Sequence, residues 1–139
     1  MLIGGIDLSV GPLAGLLVVI SSFFVVDGAS AATVVLGLAV MLIVAAMVGA
    51  INGSLIRFGK FTPIAATLTL YIALGGVAFL LRPTQDGYVS TAFQNAVNYR
   101  VGPLPVAFVV FVVIAVGMEY ALRRRRLGWN LRAVGSDEP

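Results

Sequence analysis

The chain has 139 residues, of which 60% are hydrophobic and only 11% charged, with a formal net charge of +3. Soluble domains run near half apolar and about a quarter charged, so a water-soluble single domain is close to excluded. There is no Cys and no His, which removes disulfides, thiolate nucleophiles, imidazole bases and the common zinc sites.

Four long stretches carry no charge: Leu8 to Val26, Gly28 to Ile56, Phe61 to Leu81 and Val101 to Met118. A helix needs roughly 20 apolar residues to cross a ~30 Å hydrocarbon core, and each run reaches or approaches that. An unpaired backbone amide is costly in lipid, so only helices or closed barrels span it. The runs are continuous rather than alternating, which rejects barrel strands. The expected fold class is an all-α integral membrane protein of about four transmembrane helices. Its spans are expected near 8–26, 30–55, 62–81 and 104–122, with a cytoplasmic segment at 123–139.

The first span lacks a basic leading region, so it is not read as a signal peptide. From Pro12 to Val26 it offers only about 22 Å of helix. Part of the segment 4–11 is therefore expected at membrane depth or among headgroups, as a break before the helix. Asp7 lies in that break. An ionisable residue there either caps the helix or lines a translocation path, and both roles can coexist.

Small residues follow at helical spacing: Gly11 and Gly15 in span one, Ala45, Gly49 and Gly53 in span two. Such faces are expected to pack helices closely. Asn52 lies beside the second face, placed to hydrogen-bond between helices. Thr62-Pro63 reads as an N-cap followed by proline at the first helical position of span three. Thr67, Thr69 and Tyr71 lie in that span. Thr hydroxyls either return hydrogen bonds to the preceding turn or line a polar path. Arg82-Pro83 ends the span, and a polar loop follows over 82–104. Gly102-Pro103-Leu104-Pro105 delays the fourth helix to about Pro105.

Arg57 and Lys60 between spans two and three lie on the same side as Arg123, Arg124, Arg125, Arg126 and Arg132; only Arg82 and Arg100 lie opposite. That bias places the 57–60 turn and the C-terminal tail in the cytoplasm. The Arg123–Arg126 run is expected to meet anionic headgroups, with Glu119 pairing Arg123 one turn on. Gly59-Lys60 is not a P-loop, because Phe61 and Ser54 stand where Ser or Thr and Gly are needed. Any ATP hydrolysis would come from another chain. No cofactor, metal or nucleic acid is expected.

Two motifs carry a resemblance. Gly4-Gly5-Ile6-Asp7-Leu8-Ser9-Val10-Gly11 is similar to the hallmark of permease subunits of bacterial ABC sugar importers, the ribose, xylose and arabinose type, with relatives that carry autoinducer-2. The segment from Leu127 to Glu138 resembles that family's cytoplasmic loop, although Trp129 and Asp137 depart from its pattern. The resemblance implies an internal piece of a roughly ten-helix permease in the bacterial inner membrane, crossing it several times and catalysing no reaction. It implies a second permease subunit, an ABC ATPase subunit and an external sugar-binding protein, periplasmic or lipoprotein, besides the lipid bilayer. By the same resemblance Asp7 and Ser9 belong to the translocation path, and Gly128, Ala133, Val134 and Gly135 to the ATPase-docking loop. Asn52 and Thr67 join the path by position alone. Two rival readings stay open: a small four-helix homodimeric secondary transporter, and an inactive permease fragment or membrane anchor. Against the first, Asp7 and Glu119 lie near span ends rather than deep inside.

Overall fold

The computed structural model describes residues 6–84 and 87–124. Their order is α1 (Val10–Phe24), α2 (Ala31–Arg57), α3 (Pro63–Leu81), α4 (Thr91–Asn98), β1 (Arg100–Val101), β2 (Leu104–Pro105) and α5 (Val106–Arg124). The chain divides into two compact units, and among the described residues they hold 6–91 and 92–124.

In the first unit α1 packs against both α2 and α3, which also touch each other. Helices α2 and α3 each begin at a recognisable local signal. Ser30 accepts a hydrogen bond from the Thr33 amide at 3.2 Å and starts α2. Thr62 accepts one from the Ala65 amide at 3.3 Å, and Pro63, which has no amide to satisfy, takes the first helical position of α3. Gly28 supplies a left-handed turn residue, φ 82°, between α1 and α2.

The core is Leu16 and Ile20 of α1, Val48 of α2, and Leu70 and Leu74 of α3. Leu13, Leu17, Phe24, Val40, Met41, Val44 and Ala78 pack around it. Most large side chains point outward instead, among them Leu42, Phe79 and Leu80. In water that would be ruinous; in lipid it is the expected surface, and helix association rests on packing. At 1.5 Å per residue α2 is about 40 Å long and α3 about 28 Å. Among the described residues these two are the helices long and apolar enough to cross a membrane by themselves; α1 and the apolar part of α5, Val106–Tyr120, are shorter.

The expected glycine faces do not do the packing inside this unit. A Cβ added at Gly11, Gly15, Gly49 or Gly53 would meet nothing within 4 Å. The close approach is at Gly37, where an added Cβ would collide with the Cβ of Phe24. Gly37 is buried while the other four are exposed. Spacing identifies a small face but not which helix, if any, fills it.

The second unit contains structure where the sequence reads as loop. α4 is followed by a two-stranded antiparallel hairpin pairing Arg100 with Pro105 and Val101 with Leu104. Gly102, φ 63°, and Pro103 form its turn, the glycine-first chemistry that two-residue hairpins favour. The Val106 amide then donates to the Tyr99 carbonyl at 2.8 Å, and α5 starts one residue after Pro105.

Candidate functional site

Residues 6–8 lie outside any helix and Ser9 is the N-cap of α1. Ser usually caps by accepting an amide of the first turn. Here it makes no such bond, because its hydroxyl is used elsewhere. It donates to Asp7 Oδ1 at 2.7 Å, and it accepts from Asn52 Nδ2 of α2 at 2.9 Å. The Ser9 amide donates to the same Asp7 oxygen at 2.9 Å. The Asp7 carboxylate thus holds the cap residue rather than the helix's first-turn amides, which revises the simple capping role expected for it. Pro12 reduces the number of first-turn amides left over, since it has none.

Thr67 of α3 closes the cluster from the other side. Its single hydroxyl proton lies within reach of the Pro63 carbonyl at 2.9 Å, the Ile64 carbonyl at 3.4 Å and the Ile6 carbonyl at 3.3 Å. The first two are back-bonds within its own helix, as expected for Thr in an apolar helix; Thr69 does the same to Ala65. The third ties α3 to the non-helical segment. Asp7, Ser9, Asn52 and Thr67, dispersed over 60 positions, therefore gather around one stretch of backbone.

Burial sets the stakes. Ser9 is 2% exposed, Thr67 3% and Asn52 7%, whereas Asp7 is exposed. The Asn52 Oδ1 atom is buried with no hydrogen-bond partner, and such an orphan costs about 1–3 kcal/mol. The cluster is polar, joins three helices and presents one exposed carboxylate. Its oxygens can accept from a donor-rich solute.

A second polar cluster joins the other ends of α1 and α3, and it is not evident in the sequence. Arg82 Nε donates to Ser22 Oγ at 2.8 Å, Arg82 Nη2 to the Ser22 carbonyl at 3.3 Å, and the guanidinium lies 4.4 Å from the Phe23 ring centroid. The Ser90 amide donates to the Val25 carbonyl at 2.7 Å. Asp27 Oδ1 accepts from the Thr91 amide at 3.0 Å and its hydroxyl at 3.2 Å. Hydrogen bonds from the Ser90 side chain first, then from the Thr91 amide, hold the Asp27 carboxyl below its ordinary value. Arg82 reads in sequence as a helix stop and as a basic residue opposite the cytoplasmic side, with no partner on α1 indicated. The signal that could have located its partner is the Ser21-Ser22 pair inside an otherwise apolar run.

Gly128, Ala133, Val134 and Gly135, together with Gly4 and Gly5 of the first motif, lie outside the described residues. So do Trp129 and the basic residues Arg125, Arg126 and Arg132. Among the described residues no group of His, Cys, Asp and Glu could hold a metal ion.

Comparison with known proteins places this arrangement in context. The chain is 30% identical to the autoinducer 2 import system permease protein LsrD of Yersinia enterocolitica, over 96% of its length and 42% of the relative's. It is 27% identical to the D-allose transport system permease protein AlsC of Escherichia coli, over 99% of its length and 42% of the relative's. It is 30% identical to the ribose import permease protein RbsC of the same species, over 99% and 44% respectively. The chain thus spans about two fifths of the length of these curated relatives. No solved structure matches it. A family profile described as the branched-chain amino acid transport system / permease component matches residues 1–139. The chain is therefore a membrane-embedded, helical member of the branched-chain amino acid transport system permease component family.

Proposed function

We propose that this chain is part of the permease of an ATP-driven importer for a sugar or a related polyhydroxylated solute. The similar proteins named for ribose, D-allose and autoinducer 2 support that substrate class. The observation that carries the reading is the convergence of Asp7, Ser9, Asn52 and Thr67 on the break before α1. In this reading the four residues border the translocation path, and the exposed Asp7 carboxylate meets solute hydroxyls in passing.

The chain itself breaks no bond. A paired ATPase subunit docks on the loop containing Gly128, Ala133, Val134 and Gly135 and drives alternation between outward and inward states. A second permease subunit completes the pore, and an external binding protein delivers the solute. The whole lies in the bacterial inner membrane and crosses it several times.

The test is uptake by membrane vesicles carrying the complete transporter with Asp7→Ala in this segment. The expected result is uptake sharply reduced with membrane insertion intact. Uptake at the unsubstituted rate would remove Asp7 from the path.

A further inference from the structure

The turn joining α2 to α3 is built unlike a plain connection. Arg57 is the last residue of α2, and the Phe58 and Gly59 amides both donate to the Ser54 carbonyl, at 2.8 and 3.3 Å. The Phe61 amide donates to the Leu55 carbonyl at 3.2 Å, closing a wider loop over the helix end. Gly59 has no room for a side chain: an added Cβ would lie 2.7 Å from the Leu55 carbonyl oxygen and 2.8 Å from the Phe61 ring. Lys60 holds φ 53°, the only non-glycine with positive φ among the described residues. That conformation costs an L-residue about 1–2 kcal/mol, and a persistent outlier of this kind is a pointer to use.

What the turn presents is specific. Phe58 is 77% exposed and Phe61 50%, and the Arg57 guanidinium lies 5.9 Å from the Phe58 ring centroid. Arg57 and Lys60 are both exposed. No Asp or Glu occurs anywhere from Gly28 to Leu81, so these two cations have no counter-charge on either adjoining helix. Position completes the picture. At about 40 Å, α2 exceeds a ~30 Å hydrocarbon core, so its Arg57 end reaches headgroup level. Two aromatic rings beside two cations at that depth suit an interface where the rings enter the acyl boundary and the cations meet phosphate.

We propose that the Arg57–Phe61 turn is a binding site for anionic phospholipid headgroups, with Arg57 and Lys60 on the phosphate and Phe58 and Phe61 seated in the bilayer surface. This rests on α2 and α3 crossing the bilayer and is independent of what the chain transports. The cations also complement the negative end of the α2 dipole, but that alone would favour neither an exposed ring nor the left-handed Lys60.

The test uses the complete transporter with Phe58→Trp, and with Trp129 and any other tryptophan changed to Phe, so that the turn carries the fluorophore. It is reconstituted into bilayers of phosphatidylglycerol and phosphatidylcholine in equal parts, with either lipid brominated. Brominated phosphatidylglycerol should quench the fluorescence more strongly than brominated phosphatidylcholine. Arg57→Gln with Lys60→Gln should lower that preference, by about fivefold in relative association per charge removed. Arg57→Lys should keep it, with circular dichroism confirming equal helix content in every variant. Equal quenching by the two lipids before any charge is removed would overturn the proposal, as would a preference that survives the double Gln variant. Loss of the preference on adding inorganic phosphate would assign the site to a free anion. Absence of quenching by either lipid would place the turn against protein.

Discussion

Ser9 is the junction of the candidate site, since its hydroxyl both donates to Asp7 and accepts from Asn52. Ser9→Ala removes both bonds and strands the Asn52 amide in a buried place. Asn52→Leu removes one bond but also removes the unpaired Oδ1. The expected costs are about 2 kcal/mol for Ser9→Ala and below about 1 kcal/mol for Asn52→Leu. Reversible unfolding in mixed detergent micelles measures both; equal costs would contradict the arrangement. The candidate residues themselves are legible in the sequence, because polar groups stand out in apolar runs. Their partners are not. Nothing in the spacing of Ser9, Asn52 and Thr67 says that three helices meet at one segment, since hydrogen bonds between positions 43 and 61 apart depend on how the helices dock.

Helix docking follows from packing volume, and Gly37 is where it is tightest. Gly37→Ala sets a methyl group against the Phe24 side chain and should destabilise the α1–α2 pair by about 1–3 kcal/mol. Gly49→Ala meets open space and should leave the pair unchanged. The same unfolding measurement checks both, and an equal loss at Gly49 would restore the small-residue face to a role within this unit. The helix start at Thr62 is legible because capping is local chemistry. The choice of Gly37 over the GxxxG pairs is not, because it depends on the facing residue. The hairpin at Arg100–Pro105 escapes a reading by hydropathy for a related reason. Its strands are two residues long, too short to show alternation, and only Gly102-Pro103 marks the turn.

The Asp27 cluster should respond to acid. Its folded value lies below the ordinary 3.8, so in the window between the two the folded state holds fewer protons than the unfolded one. Its contribution is fully present above pH 3.8 and is lost as pH falls through the folded value. Protection of the Thr91 amide against exchange should therefore fall below that window. Asp27→Asn should flatten this dependence, and an unchanged acid response in the variant would assign it to another group.

At the scale of the molecule, composition excludes a soluble fold, and the family match agrees with a membrane permease segment. The packed unit of α1, α2 and α3 accounts for why one carboxylate and three buried polar side chains are tolerated in so apolar a chain. All but the Asn52 Oδ1 atom find partners, in one another or in nearby carbonyls, around a break, which is where lipid-embedded proteins accommodate irregular backbone. The absence of Cys offers a direct test of whether that break borders a water-filled path. In the complete transporter, with any cysteine elsewhere removed, Asp7→Cys introduces a thiol at the exposed position of the cluster, and Leu42→Cys, outward on α2, serves as the lipid-facing control. A charged, membrane-impermeant thiol reagent should modify the first, at a rate that changes when the ATPase subunit binds nucleotide, and should leave the second unmodified. An Asp7→Cys thiol as unreactive as the Leu42→Cys control in every nucleotide state would contradict the account.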